Sequence, residues 1–392
     1  MSRVKSQGSK VKSYFYSSFW CLITHYPIPN PHYPLSPEGA PSSPTPTVNN
    51  ESSSLQVKDI GEQGLLAILQ RFCPQEIIGD DAAVLVTTPE QSLVVTTDVL
   101  VDNVHFSHVT TSPEDAGWRA VAANLSDLAA MGATPLGITV GLGLPGDISV
   151  NWVERLYQGM TECLQKYNTP IVGGDIVRSP VTTLSITAFG QAYPHQIIRR
   201  SAAKVGDAIA ITGVHGASRA GLELLLNPEI GQNLKDPDKA ALITAHQRPQ
   251  PRLDILPILW NIFNSQSQIP NLKSKIAVAG MDSSDGLADA VLQICRASHV
   301  GAILEAKHIP LPPAFTNWLT PEQAINYALY GGEDFELVLC LPPDVASALV
   351  AQIGQDAAII GTITSETKVL LHHENTEIPD QTLNLNQGFQ HF

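Results

Sequence analysis

The chain has 392 residues, 43% apolar and 15% charged, which suits a sizeable core in two packed globular domains and argues against a disordered chain. A formal net charge of −14 without any Lys/Arg cluster disfavours a nucleic-acid partner, and leaves open whether the acids serve solubility or recruit divalent cations. Five scattered cysteines (Cys21, Cys73, Cys163, Cys295, Cys340) lack CxxC spacing and point to inert thiols in a reducing cytoplasm, and no apolar run reaches the ~18 residues of a transmembrane helix.

Residues 1–54 are Pro-, Ser- and Asn-rich and are expected to be disordered; a start codon placed too early, or else a tail or targeting role, accounts for them. The aromatic stretch "SYFYSSFWCLITHYP" makes a poor signal peptide, being short and lacking a small-residue cleavage site. Order is expected to begin with an amphipathic helix at "VKDIGEQGLLAILQRF", followed by a strand at "SLVVTTDVLV". "TSPEDAGWRAVAANLSDLAAMGA" predicts the best helix: Ser112 caps it, Pro113 sits at its first position, Glu114 and Asp115 suit its positive end, and Gly132 stops it. Trp118, Val121, Ala122, Leu125, Leu128 and Ala129 form its apolar stripe. The neighbouring face is small (Ala116, Ala120, Ala123) until Asp127, so something must approach it closely.

Further strands are expected at "LGITVGLGL", "TPIVGG" and "TLSITAFGQA", with a helix at "NWVERLYQGMTECLQKY" between the first two. A boundary falls near "IIRRSAAKVGD", around residue 200. Beyond it come "DAIAITGV", a helix at "SRAGLELLL", a polar segment "NPEIGQNLKDPDKAAL", a strand-to-helix junction at "AGMDSSDGLADAV", then "GAILEAKHIPL" and "FELVLCLP". The alternation predicts an α/β protein of two mixed-sheet domains.

"GLGLPG" reads as a turn after a strand rather than a dinucleotide site, and no Gly-Lys dipeptide exists to form a P-loop. The acids are more informative. They recur beside Gly or Thr at the ends of apolar runs: "IIGDDAAVL", "VVTTDVLVDNVHF", "NLSDLAAMG", "IVGGDIV", "MDSSDG" and "YGGEDFEL". Each alone has a bland explanation as a cap, turn or surface acid. Together they are a set of carboxylates with few basic partners, which would be untenable at one site without cations. Hard oxygen ligands suit Mg²⁺, and Mg²⁺ with phosphates suits phosphoryl transfer. In the junction stretch, Asp282, Ser284 and Asp285 are the group expected to matter, with Asp289 read as ordinary helix surface.

These segments, with "RRSAAKVGDAIAITG", "HQRPQPR" and the terminal "GFQHF", resemble the ordered motifs of the thiamine-monophosphate kinase family, within the aminoimidazole ribonucleotide synthetase-like superfamily of ATP-using proteins. The resemblance runs from about residue 58 to 392. It implies Mg²⁺ ions at Asp80, Thr96, Thr97, Asp98, Asp127, Asp175, Asp282 and Asp285. Asp98, Asp127 and Asp282 are the ones expected to carry the catalysis. It implies nucleotide contacts at Gly174, Asp175, Arg200 and Ser284, with Tyr167 a weaker candidate, and thiamine-phosphate contacts at His105, Glu333 and Phe389.

It also implies a cytoplasmic homodimer that binds neither membrane nor nucleic acid. An N-terminal ATP- and Mg²⁺-binding domain (55–200) would form a β-barrel between subunits, followed by a C-terminal α/β sandwich (201–392). Ser283 stands where an aliphatic residue is common, and Phe389 where Trp or Tyr is frequent. The expected reaction takes the γ-phosphoryl of ATP to thiamine monophosphate. The acceptor phosphate is largely deprotonated at neutral pH and needs no strong base. An acid and an aromatic face suit the cationic thiazolium. Rival readings are a selenophosphate or aminoimidazole ribonucleotide synthetase-like enzyme, a Mg²⁺-dependent phosphatase, and a non-catalytic nucleotide- or metal-binding regulator.

Overall fold

The computed structural model describes residues 55–75, 77–78, 82–266, 277–354, 356–374 and 379–387. The N-terminal extension, Asp80 and Phe389 lie outside the described residues. The first half contains α1 (Val57–Leu69), β1 (Ser92–Val101), α2 (Pro113–Ala130), β2 (Thr134–Leu144), α3 (Val150–Lys166), β3 (Ile171–Arg178) and β4 (Thr183–Ala192). Its strands make a four-stranded sheet in the order β1-β4-β2-β3, with only β2 and β3 parallel. Alternation places Ile138, Val140, Leu142, Leu184 and Ile186 against α2 and α3, where they form one buried core with Leu125, Leu156 and Met160.

Helix α2 begins as its sequence requires. Ser112 Oγ accepts from the Asp115 amide at 3.2 Å, and Pro113 opens the first turn. A close approach to α2 is made by α3 at Gly117, which lies to one side of the face of Ala116, Ala120, Ala123 and Asp127. A Cβ added at Gly117 would lie 2.0 Å from the Leu156 carbonyl oxygen, and one at Gly159 would lie 1.8 Å from that of Glu114. The two helix backbones therefore touch where neither chain carries a side chain.

The second half contains β5 (Ala208–Ile211), α4 (Ala217–Leu226), α5 (Asp236–Gln247), α6 (Ile255–Gln266), β6 (Ala279–Asp282), α7 (Leu287–Ser298), β7 (Gly301–Glu305), α8 (Pro321–Tyr330), β8 (Leu337–Leu341), α9 (Pro343–Ile353), β9 (Ala358–Thr364), β10 (Val369–His372) and β11 (Gln381–Thr382). Its sheet runs β11-β10-β7-β9-β5-β8-β6, with β7 and β10 parallel. Ile209 and Ile211 of β5 pack with Leu287, Val291 and Ile294 of α7. The alternate residues Ala208 and Ala210 pack with Leu259 of α6 and Leu349 of α9. Helices thus cover both faces, as a sandwich requires. Ala129 and Ala130 of α2 join that second packing layer, so α2 serves both halves. The segment expected to be merely polar forms α5. Only Leu242 and His246 are buried along it, and its backbone docks onto Gly221 of α4, where a Cβ would meet the Leu242 carbonyl oxygen at 2.1 Å.

The "HQRPQPR" stretch, 246–252, is a strap across the two halves. Trp118 Nε1 donates to the Pro249 carbonyl at 2.7 Å, and Arg248 pairs with Asp115 at 2.6 Å and Glu162 at 2.8 Å. At its far end Arg252 donates to the Thr212 carbonyl at 2.7 Å and pairs with Glu336.

Candidate active site

Four elements bring acids together. β1 supplies Thr96 and Asp98 on its inward face, α2 supplies Ser126 and Asp127 near its C-terminal end, β6 ends on Asp282, and the turn before α7 carries Ser284 and Asp285. Thr96 Oγ1 donates to Asp127 Oδ2. Ser126 Oγ donates across the halves to Asp282 Oδ2 at 2.7 Å, and Ser284 Oγ donates to Asp282 Oδ1 at 3.1 Å. The Asp98 amide is held by Asn124 Oδ1 at 3.2 Å. Gly286, with φ at +107°, turns the chain into α7, where a Cβ would meet the Leu329 carbonyl oxygen at 2.8 Å.

The carboxyls strain against one another. Burial, then the charges of Asp127 and Asp285, push Asp98 up to about 6. Burial, then Asp127 and Asp98, push Asp282 up to about 7 against the hydroxyls of Ser126 and Ser284. Burial also raises Asp127, opposed by Thr96 and by the nearby Arg200 guanidinium. Arg200, exposed at the start of the 3₁₀ turn Arg200–Ala202, also acts on Asp289. Asp289 is not plain helix surface: it is half-buried, raised by burial and by Asp285, and its Oδ2 has no hydrogen-bond partner.

The sheet divides the remaining candidates. Thr97 alternates to the outward face, where its hydroxyl meets that of Thr187 at 2.8 Å. Asp175 pairs across the sheet with Gly141, then Ser185, then Val99, and so shares that outward face. Three strand spacings separate β3 from β1, about 14 Å, so one chain does not bring Asp175 beside Asp98. Gly174 is a packing glycine, since a Cβ there would lie 2.3 Å from the Val140 carbonyl oxygen. Asp175 and Gly174 line a cavity of mixed polarity with Leu69, Cys73, Tyr157 and Ile176. Tyr167 is elsewhere: its hydroxyl donates to the Pro251 carbonyl at 3.1 Å, and it lines a separate cavity with Trp260. Tyr157 is the aromatic residue beside Gly174, which required tertiary structure to see. Burial raises the Cys73 thiol, which disfavours the thiolate a selenophosphate-type nucleophile would need.

On the other side of the strap, Glu333 sits in a turn with φ at +58° and its amide donates to the Ser284 carbonyl at 2.6 Å. Its carboxylate pairs with Arg119 at 2.6 Å and keeps 36% of its side-chain surface open. Burial pushes this carboxyl up, but the paired Arg119 guanidinium holds it below the usual range. His105 Nδ1 accepts from the Val101 amide at 3.0 Å. The adjacent Asp334 accepts from the Gly216 and Ser218 amides at the start of α4, and burial pushes it up to about 7.

Among the described residues, no three His, Cys, Asp or Glu side chains surround a common point as a closed metal cage. The donors at the site are carboxylate and hydroxyl oxygens, which suit Mg²⁺ rather than zinc. Buried and partly buried carboxyls that resist ionisation, with the Arg200 guanidinium acting on Asp127, are a donor set awaiting positive charge.

Residues 79–192 match the family model "AIR synthase related protein, N-terminal domain", and residues 204–374 match "AIR synthase related protein, C-terminal domain". The chain is thus an AIR synthase-related protein. Hydrogenase maturation protein HypE has the same fold at 20% identity and a TM-score of 0.63, covering 82% of this chain and 98% of its own. A thiamine-monophosphate kinase of Synechococcus elongatus is 52% identical over 341 residues, 87% of this chain and 99% of the relative. That of Escherichia coli (strain K12) is 36% identical over 322 residues, 80% of this chain and 91% of the relative. The structure of AaThiL complexed with AMPPCP and TMP aligns with a TM-score of 0.62 at 31% identity, covering 84% of this chain and 99% of that one. The chain belongs to the thiamine-monophosphate kinase family.

Proposed function

We propose that the protein transfers the γ-phosphoryl group of ATP to thiamine monophosphate, giving thiamine diphosphate and ADP. The observation that carries this reading is the meeting of Asp98, Asp127 and Asp282 beside Arg200, in a chain of this kinase family. Asp98, Asp127, Asp282 and Asp285, with Asp80 beyond the described residues, would hold Mg²⁺. When bound, Mg²⁺ supplies the positive charge that lets two anionic phosphates approach. Thr96, Ser126 and Ser284 orient the carboxylates by donating to them. Arg200 adds charge for phosphate oxygens. The cavity of Tyr157, Gly174 and Asp175 is a candidate nucleoside pocket. Glu333 faces the cationic ring of the acceptor, with His105 nearby through their shared partner Arg119. No general base is required, since the nucleophile is a phosphate oxygen already ionised at neutral pH.

We further infer a division near residue 200 and a homodimer whose four-stranded sheets face one another. The outward face of β1 leaves Leu93 53%, Val95 52% and Val99 46% exposed, an apolar stripe for a partner to cover. Thr97 and Asp175 lie on that face, so a second copy would meet them.

Incubation with ATP, Mg²⁺ and thiamine monophosphate, followed by chromatography, tests the reaction. Thiamine diphosphate and ADP in equal amounts support it. ATP bound without product would favour a regulator, and phosphate released from thiamine monophosphate without ATP would favour a phosphatase.

A further inference from the structure

Arg119 is 3% exposed in the middle of α2 and yet makes its contacts with three separate segments. Nη2 donates to Glu333 Oε1 at 2.6 Å and to the His105 carbonyl at 3.3 Å, while Nη1 donates to the His246 carbonyl of the strap. Its Nε is buried with no hydrogen-bond partner. A buried arginine with an unpartnered N–H is a poor device for stability, because an apolar residue there would avoid the desolvation. What the guanidinium offers instead is a planar fork that fixes several groups at once.

The groups it fixes, Glu333 and the His105 segment, are those the proposed function sets against the acceptor. Glu333 is held at both ends, by its amide to Ser284 beside the acid cluster and by its carboxylate to Arg119. Such a left-handed non-glycine residue persists only where its surroundings over-determine it. His246 completes the support: its Nδ1 lies 3.1 Å from Ser218 Oγ and 3.7 Å from Glu333 Oε2. Burial, then Arg119, push the His246 imidazole down to about 4, so it stands beside Glu333 as a neutral neighbour.

We propose that Arg119 is a positioning residue for the acceptor, fixing the Glu333 carboxylate and the His105 segment together so that a phosphate ester bearing a cationic ring is bound in one orientation. This rests on the phosphoryl-transfer reading above.

The test uses the full-length protein with ATP, Mg²⁺ and thiamine monophosphate. Arg119→Lys keeps the charge but loses the fork, and Arg119→Gln loses both. The KM for thiamine monophosphate is expected to rise about tenfold in Arg119→Lys and further in Arg119→Gln, the size of losing a charged hydrogen bond. The kcat and the KM for ATP are expected to stay within about twofold, which a merely structural role would not arrange. Adding Arg119→Lys to Glu333→Gln is expected to raise that KM no further, since the group being positioned is already altered. Parallel changes in kcat and both KM values, or a full additional rise in the double variant, would overturn the proposal. If Arg119→Gln does not fold, Arg119→Lys and the double variant decide it. A wild-type protein that makes no thiamine diphosphate removes the phosphoryl-transfer reading itself, and this inference with it, before any variant is compared.

Discussion

Asp282→Asn is expected to make the metal-free protein more stable while abolishing its turnover. Asp282 is 3% exposed, and its carboxyl is raised from 3.8 to about 7. At 1.36 kcal/mol per pH unit, ionising it costs the metal-free fold up to ~4 kcal/mol. The folded acid keeps its proton longer than the unfolded one does. The penalty is therefore absent below pH 3.8, grows between 3.8 and about 7, and is complete above that. Asparagine carries no charge and keeps an oxygen for the Ser126 hydroxyl, so about 1–3 kcal/mol should be recovered near pH 8 and less near pH 5. Urea unfolding in EDTA at the two pH values measures this, with thiamine diphosphate formation followed in parallel. The reasoning fails if the variant is no more stable than wild type at either pH. It fails also if Mg²⁺ raises the melting temperature of the variant as much as that of wild type.

Asp127→Asn should lower turnover by about 10²-fold or more with the fold intact. Survival of activity within a few-fold, by the same chromatographic assay, would remove Asp127 from the metal set. Ser283→Ala should destabilise by about 1–3 kcal/mol in urea unfolding, because it strands a buried imidazole nitrogen. His215 and Ser283 are both fully buried, with Nε2 3.0 Å from Ser283 Oγ and Nδ1 3.1 Å from the Gly213 carbonyl. That carbonyl accepts the Nδ1 proton, which leaves Nε2 to accept from the serine.

Strands β1 and β4 were legible to the residue, because β-branched alternation bounded by turn residues has few other solutions. Helix α2 was legible from its cap, its opening proline and its stripe. Helix α5 was not, since it buries two side chains and owes its place to the bare backbone of Gly221. Helix α8 did carry a start signal, the capping box of Thr320 and Gln323.

At the site, the gathering of acids such as Asp98, Asp127 and Asp282 was suggested by their recurrence beside Gly or Thr in apolar runs, while Thr96 and Ser284 were named by the family resemblance. Asp289 was misread because helical spacing gives a direction but not what covers it. The assignment of Tyr157 rather than Tyr167 to the cavity beside Gly174 depends on how α3 lies over β3, which spacing does not encode. Ser283, where an aliphatic residue is common, would matter little to the acids if its side chain pointed away from them. It does point away, into a polar pair with His215 that the aliphatic pattern gave no reason to anticipate.

The alternation of β1 has a consequence for how such a protein can change over generations. Thr96 and Asp98 belong to the chemistry, while Leu93, Val95, Thr97 and Val99 of the same ten residues belong to whatever meets the open face. A point substitution falls on one register or the other, so selection can remodel the contact surface while the reaction centre is conserved. A single-residue insertion in the strand would exchange the two registers beyond it. Lineages should therefore differ freely in the outward residues of this strand and hardly at all in its length.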